Sequence, residues 1–324
     1  MHKRELKRTI EKIKKAKKFL LTAHMNPEGD SLGSQLAMYL LLKKLKKQVV
    51  IYNHDPVPNI YSFLPYSRII KNELNNGSFD VAMVMDSSDS TRTGKVKDAL
   101  ARADCIVNID HHISNTYFGD INWVEPWLGS TSQMVHVLCE KFKVMDKNIA
   151  LCIYTGIFTD TGNFTYSNVD AETHRIVAQL MKYNLHPHKI YEGIHSLCLP
   201  SDLKFMGKII SSLKFDPQRK ICWATITKWE KNEYDLTEVV FSIMRLLKEP
   251  EVFVLFKKID SHRTRVNLRS RSRIDVNRVA KFFGGGGHKR ASGTTMDSSL
   301  EATEKKIISF IKRYTNGFKP KKKS

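Results

Sequence analysis

Cys105-Ile106-Val107-Asn108-Ile109 is a short run rich in β-branched residues, and it stops abruptly at Asp110-His111-His112. Branched side chains favour a strand, and so short a run is too brief for a helix of its own. The spacing predicts a buried strand with three polar side chains at its C-terminal end. The arrangement recurs upstream. Phe19 to His24 runs apolar into a polar loop, Val49 to Tyr52 is a second short strand, and Phe79 to Met85 ends at Asp86. Between them lie helical patterns at 5–18, from Asp30 or Ser31 (either could cap it) to about Lys46, and near 95–102. Further helices are expected near 131–143, 147–158 and 171–182. Strands alternating with helices predict an α/β domain whose mostly parallel sheet is covered on both faces. In such sheets ligands bind beyond the carboxyl ends of the strands. His24, Asp86 and Asp110 to His112 all fall there.

Those strand ends carry hard metal-ligand types. His24, Glu28 and Asp30 share one tight loop, in which Gly29 is expected to allow a sharp turn. Asp86, His111 and Asp160 bring the set to six. Carboxylate with imidazole suits Mn²⁺, Fe²⁺, Co²⁺ or Zn²⁺, and the shortage of thiolates argues against a structural zinc site. Six protein ligands are more than one divalent ion usually takes, but two ions sharing a carboxylate can use them. Two ions about 3.5–4 Å apart are a common device for phosphoester hydrolysis. Asp30 read alone is a helix cap, and Asp86 alone is an ordinary loop residue. Neither bland reading explains why every cluster falls at a strand end or opens a glycine turn.

The pattern changes after His186-Pro187. Strands are expected at Lys220 to Ile226, Glu251 to Ile259 and Thr264 to Arg269, and helices at Leu236 to Leu247, Val276 to Phe283 and Leu300 to Tyr314. This describes a second, smaller α/β domain. The expected division is 1–190, a helical linker at 191–204, a second domain at 205–318 and a basic, disordered tail at 319–324, with a cleft between the domains. Arg265, Asn267 and Arg269 alternate along one strand and so share a face. Arg271 and Arg273 read as charge protecting an exposed edge strand. Gly284, Gly285, Gly286 and Gly287 can turn amide N–H groups towards an anion, with His288 adding a donor. A helix stop would explain one glycine of the run but not four. Phe282, Phe283 and Tyr166 are candidates for base stacking, against the plainer reading of packing.

The chain has 324 residues, with 53 Lys+Arg against 33 Asp+Glu. Its 41% hydrophobic content excludes a fully disordered chain. Apolar runs such as Ala37 to Leu42 fall far short of the roughly 20 residues of a membrane helix, and the run after the basic first residues is too short for a signal-peptide core. Residues 201–324 hold 28 Lys+Arg against 13 Asp+Glu, a surplus that suits a polyanion. Arginines 263, 265, 269, 271, 273 and 278 sharpen that reading, because guanidinium forks match phosphate oxygens. The five cysteines form no C-x-x-C pair, which points to free thiols in a reducing, cytoplasmic setting.

In motif order the sequence resembles the DHH phosphoesterases, named for the Asp110-His111-His112 triplet. The second part resembles their associated C-terminal domain, marked by Gly284-Gly285-Gly286-Gly287-His288-Lys289-Arg290-Ala291-Ser292-Gly293. The resemblance covers almost the whole chain and is similar to the stand-alone bacterial oligoribonuclease and phosphoadenosine-phosphate phosphatase group. It implies two Mn²⁺ ions, one on His24 and Glu28, the other on Asp30, His111 and Asp160, with Asp86 bridging. It implies that His112 meets the substrate phosphate or the departing oxygen, that Asp110 orients a histidine, and that Arg92 supports the loop. The family more often has Asp where this chain has Glu28.

The expected activity is manganese-dependent hydrolysis of short oligoribonucleotides to 5′-mononucleotides, or of 3′-phosphoadenosine 5′-phosphate, by two-metal hydroxide attack on phosphorus. Arg265, Arg269, Gly285, Gly286, Gly287 and His288 are expected to hold the nucleotide, and a homodimer is expected. A cyclic-dinucleotide phosphodiesterase acting on c-di-AMP or pApA would use the same metal centre. A non-catalytic nucleic-acid-binding protein is the rival from another class, and the six competent ligands argue against it. A RecJ-type exonuclease lacks support, since no additional oligonucleotide-binding fold is read. A pyrophosphatase is disfavoured by the glycine-histidine motif.

Overall fold

The computed structural model describes residues 3–73, 77–195, 199–227, 236–271, 274–287 and 289–316. The chain divides into two units, Met1–Leu197 and Cys198–Ser324.

In the first unit the elements run α1 (Lys3–Lys15), β1 (Lys18–Thr22), α2 (Gly29–Lys44), β2 (Gln48–Ile51), β3 (Val81–Met85), α3 (Lys97–Leu100), β4 (Ile106–Asp110), β5 (Ile121–Val124), α4 (Thr131–Phe142), α5 (Lys147–Asp160), α6 (Ala171–Met181) and α7 (Pro187–His195). The sheet order is β2-β1-β3-β4-β5, and every pair is parallel. Alternation along the strands loads both faces. Phe19, Leu21, Val81, Met83 and Met85 join the large core that includes α2, α4 and α5. Leu20, Ala82 and Val84 join a smaller one with Val96 and Leu100. A parallel sheet needs both coats, because its strands are apolar on both sides. β1 and β3 are neighbours whose connections leave in opposite directions, towards β2 and β4. That divergence opens a crevice at their carboxyl ends.

Two expectations about α2 change. Glu28, not Asp30 or Ser31, is the residue that caps it, and the Ser31 hydroxyl accepts from the Glu28 N–H at 2.9 Å. Gly29 makes no sharp turn. It lies in the helix, and a Cβ there would stand 2.3 Å from Thr159 Oγ1 on α5. Gly156 on α5 is equally confined, since a Cβ would meet the Ser132 hydroxyl and come 2.8 Å from Asp30 Oδ1. Glycine at both positions lets α2, α4 and α5 approach closely where the acidic residues converge. β5 is absent from the expected strand set.

The second unit holds α8 (Pro200–Ser211), β6 (Lys214–Asp216), β7 (Ile221–Ile226), α9 (Thr237–Met244), β8 (Val252–Lys258), β9 (Thr264–Ser270), α10 (Val276–Phe282), β10 (Gly286–Gly287), β11 (Ala291–Met296) and α11 (Leu300–Asn316). Its mixed sheet has the order β10-β11-β9-β8-β7-β6. Val266 and Leu268 pack with α10 and α11 on one face. Cys222, Phe253 and Leu255 pack with α8 and α9 on the other. β9 is interior, between β8 and β11, so the edge-strand reading of Arg271 is wrong. Arg273 lies outside the described residues. The stretch 191–204 is shared out: Ile194 of α7 joins the first core, and Asp202 and Met206 of α8 are buried in the second unit. The tail at 319–324 lies outside the described residues.

Candidate metal centre

His24, two residues past β1, donates from Nδ1 to its neighbour Met25 O at 2.7 Å, which turns Nε2 inward. That Nε2 stands 3.5 Å from Asp86 Oδ2 and 3.9 Å from Glu28 Oε1. Asp86 follows β3 directly and holds a left-handed backbone with φ of 53°. Such a conformation costs a non-glycine residue about 1–3 kcal/mol and gathers at functional sites. Its other oxygen, Oδ1, lies 3.6 Å from His111 Nε2. His111 Nε2 is also 3.2 Å from Asp160 Oδ2, at the last residue of α5. The His111 Nδ1 meets the Leu128 carbonyl at 3.1 Å, which fixes Nε2 as the nitrogen facing the carboxylates.

Asp30 is fully buried in the first turn of α2, yet its carboxylate addresses another helix. It accepts from Thr131 N at 2.6 Å and Ser132 N at 2.9 Å, at the start of α4. Thr131 Oγ1 donates to Asp86 Oδ1 at 3.1 Å. Two groups of possible ligands result, His24 with Glu28 and Asp86, and Asp30 with His111 and Asp160. A third, Asp86 with His111 and His112, overlaps both.

His112 has a different attachment. Its Nδ1 lies 2.6 Å from Asp110 Oδ1, and Asn115 Nδ2 donates to Asp110 Oδ2 at the same distance. Arg92 ties two loops together, since its carbonyl accepts from Met25 N at 2.7 Å.

The electrostatics call for cations. Burial and the Asp86 charge push Asp30 up to about 7. Burial, with Asp30 and Asp86, pushes Asp160 well above the usual carboxylate range. Burial would raise Asp86 too, but the facing imidazoles of His24, His112 and His111 hold it below that range. Burial would lower His24, His111 and His112, and the facing carboxylates outweigh it, so all three are raised. The buried His24 Nε2 has no hydrogen-bond partner. An orphaned inward nitrogen beside crowded carboxylates is a donor set that divalent ions fit.

Comparison with known proteins agrees. Residues 18–157 match the DHH family, N-terminal domain, and residues 218–317 match the DHHA1 domain. The bifunctional oligoribonuclease and PAP phosphatase NrnA of Thermus thermophilus is 30% identical over 298 residues, covering 90% of this chain and 88% of that protein. The chain belongs to the DHH family of phosphoesterases. The NrnA protein of Bacillus subtilis is 26% identical, over 87% of this chain and 90% of its own length. The crystal structure of an exopolyphosphatase-related protein from Bacteroides fragilis superimposes with a TM-score of 0.90 at 25% identity, covering 98% of both chains. The DHH match spans five of the six candidate ligands, and Asp160 lies just beyond it.

The DHHA1 candidates are less exposed to solvent chemistry than their sequence suggested. Arg269 ion-pairs with Glu238 and lies over the Phe241 ring at 4.9 Å. Arg271 donates to the carbonyls of Arg245, Leu247 and Lys248 at the end of α9, at 2.5, 2.8 and 2.6 Å. Arg263 pairs with Asp260 at 2.8 Å and Arg278 lies 3.9 Å from Asp275. Arg265 is exposed, and its guanidinium lies across Gly293, where a Cβ would stand 3.0 Å from Nη2. The Asn267 Oδ1 is buried without a partner on the same strand face. Gly284, with φ of 76°, ends α10, and Gly285 passes so close to β11 that a Cβ would stand 2.2 Å from Gly293 O. Gly286 and Gly287 are exposed and pair with Gly293 and Ser292. His288 lies outside the described residues. Tyr166 packs over Gly162.

Sequence reasoning missed the groups that aim the ligands: the amides of Thr131 and Ser132, the carbonyls of Met25 and Leu128, and Asn115. Gly129-Ser130-Thr131-Ser132 carried one signal, a serine cap after a glycine. Backbone carbonyls carry none.

Proposed function

We propose that the protein is a manganese-dependent phosphohydrolase that cuts short oligoribonucleotides to 5′-mononucleotides and dephosphorylates 3′-phosphoadenosine 5′-phosphate. One observation carries the reading: two three-residue ligand groups meet at the two oxygens of Asp86. His24 and Glu28 would hold one ion and Asp30, His111 and Asp160 the other, with Asp86 shared. Bound there, two divalent ions would supply Lewis-acid neutralisation of phosphoryl oxygens and a water acidic enough to react near neutral pH.

The rest of the reaction falls to the chain's own groups. Asp110 holds the His112 Nδ1 proton, so that Nε2 would reach the substrate phosphate or hand a proton to the departing oxygen. Asn115 keeps Asp110 in that orientation. The Thr131 and Ser132 amides keep Asp30 facing the centre. In the second unit Arg265, Gly285, Gly286, Gly287 and His288 would hold substrate phosphate. Arg269 would join them only by exchanging its Glu238 partner. The described residues contain no helix long and apolar enough to cross a membrane, which fits the expected cytoplasmic site, and a homodimer is expected.

The test is a substrate panel with purified protein: diadenylate, a five-nucleotide RNA, 3′-phosphoadenosine 5′-phosphate and c-di-AMP, each with Mn²⁺, Mg²⁺, Co²⁺ and Zn²⁺. Fastest turnover of the first three with Mn²⁺ is expected. Turnover of c-di-AMP alone would replace this reading with a cyclic-dinucleotide one.

A further inference from the structure

The second unit carries an aromatic surface that no step above uses. Phe282, at the end of α10, is 67% exposed. It stacks on Phe310 of α11 with centroids 4.3 Å apart and planes 27° apart. Phe283 meets both rings edge-on, at 5.0 and 5.2 Å, and holds them upright. Tyr314, one helical turn on, is nearly parallel to Phe310 at 13°. Beside this stack an open hollow of about 490 Å³ is lined by Phe282, Phe310, Lys305, Lys306 and Arg313. Two small residues of α11, Ala302 and Ser309, also line it.

Neither packing nor solubility accounts for the arrangement. A fully buried Phe282 would stabilise the core, but most of this ring is left in water. The cations are equally uncommitted. Among the described residues none of Lys305, Lys306 and Arg313 ion-pairs with a carboxylate. Glu304 of α11 is instead held by Lys214 at 2.7 Å and by Trp223 Nε1 at 2.9 Å. Past α11 the sequence continues with Lys319, Lys321, Lys322 and Lys323. Val266 and Leu268 share their sheet face with α10 and α11, so Arg265, Asn267 and Arg269 lie on the opposite face. The aromatic surface therefore lies on the other face of the sheet from Arg265 and Arg269.

Open ring faces beside a line of unpaired cations suit one ligand chemistry, flat bases on a phosphate backbone. We propose that Phe282, Phe310, Lys305, Lys306 and Arg313 form an accessory site for single-stranded oligonucleotide, with a base stacked on Phe282 and the backbone along α11. An acidic peptide would satisfy the cations but leave the rings without a stacking partner. The inference rests on the reading that the substrate is an oligonucleotide, and it engages chains longer than the few nucleotides cut at the metal centre.

The experiment follows a fluorescein-labelled twelve-nucleotide oligo(A) by anisotropy with the full chain in EDTA, so that binding is read without hydrolysis. Phe282→Ala is expected to weaken the twelve-mer about 5- to 150-fold, the range for losing one stacked base, and Phe282→Trp to restore it. Lys306→Glu with Arg313→Glu is expected to flatten the salt dependence by about 0.7 per cation removed. In Mn²⁺ the loss of turnover should be larger for the twelve-mer than for diadenylate. Equal losses on both, or twelve-mer affinity unchanged in both variants, overturns the proposal. So does a shift from dimer to monomer in Phe282→Ala with oligonucleotide affinity unchanged, which would make the patch a contact between two copies. If the enzyme proves to act on c-di-AMP alone, the EDTA arm still decides whether the patch binds single strands.

Discussion

The two units treat their charged candidates in opposite ways. In the first, six candidate ligands from four separate segments gather into adjoining groups around Asp86, and the groups behind them hold them there. In the second, a contiguous cluster of arginines disperses into helix clamps and ion pairs, and Arg265 is left for an anion. The difference lies in where each chain segment ends. Ligands at the ends of parallel strands and at helix termini point out of the sheet into a shared crevice. Arginines strung along one antiparallel strand and its turns meet whichever carbonyls and carboxylates the neighbouring helix offers. Residue type and clustering are evidence of a site only when the topology brings the side chains to one place.

The largest effect expected from that contrast is at Asp86. Asp86→Asn keeps the shape of the side chain and removes the charge shared by both ligand groups. Hydrolysis should fall on the order of 10³-fold, because several kcal/mol of charge stabilisation depends on the ions, and bound Mn²⁺ measured by mass spectrometry should drop below that of wild type. A variant that binds two ions tightly and turns over normally would remove the shared-carboxylate arrangement.

Next comes Asp110→Asn. Asp110 touches His112 and Asn115 and belongs to none of the ligand groups that meet at Asp86. The expected result is about a 10- to 100-fold loss in kcat, the usual cost of losing the partner that orients an active-site histidine. Bound metal should be preserved and KM little changed. If metal content falls as far as activity, Asp110 supports the ions rather than His112.

The second unit is probed by a pair. Arg271→Ala removes three charge-assisted bonds to the end of α9 and the contact over Phe253 at 5.4 Å. A loss of about 1.5–3 kcal/mol in stability is expected, read as a lower melting temperature, with turnover per folded molecule retained. Arg265→Ala should do the reverse, leaving the melting temperature in place and raising KM for nucleotide substrates. A melting loss in Arg265→Ala equal to that in Arg271→Ala would erase the distinction between a clamp and a binding residue.

The parallel sheet of the first unit could be read from sequence because its strands are apolar on both sides and end in punctuation. β5 escaped because it is a four-residue strand interrupted by Asn122. β10 and β11 escaped for a related reason: Gly286-Gly287 and Ala291 to Met296 lack the branched and aromatic residues that announce a strand, and pairing with β9 makes them one. At the candidate metal centre all six candidate ligands were visible, since each is a hard donor at an element's end. Their orienting partners were invisible, because a backbone amide or carbonyl has no letter of its own. Gly29 shows the same limit. Its identity was informative, but the reason is a helix packed across it, which local sequence does not contain.

Asp146 sharpens the contrast with Asp30 and carries the smallest expected effect. Both carboxylates accept from amides at a helix start. Asp146 caps its own helix, accepting from Ile149 N at 2.9 Å, and holds Lys44 Nζ at 2.7 Å. Burial would raise its carboxyl, but those bonds outweigh it and hold it below the usual carboxylate range. Asp30, surrounded by other acids, is pushed the other way. A lowered folded-state value means that Asp146 stabilises the fold fully above the ordinary aspartate value of about 3.9. That contribution fades as the pH falls through the lower, folded-state value. Asp146→Ala should therefore cost about 1 kcal/mol at neutral pH, the usual loss for a helix cap. The gap from wild type should narrow as urea titrations are carried down towards pH 3. A gap that is constant with pH would mean that the side chain acts by packing alone.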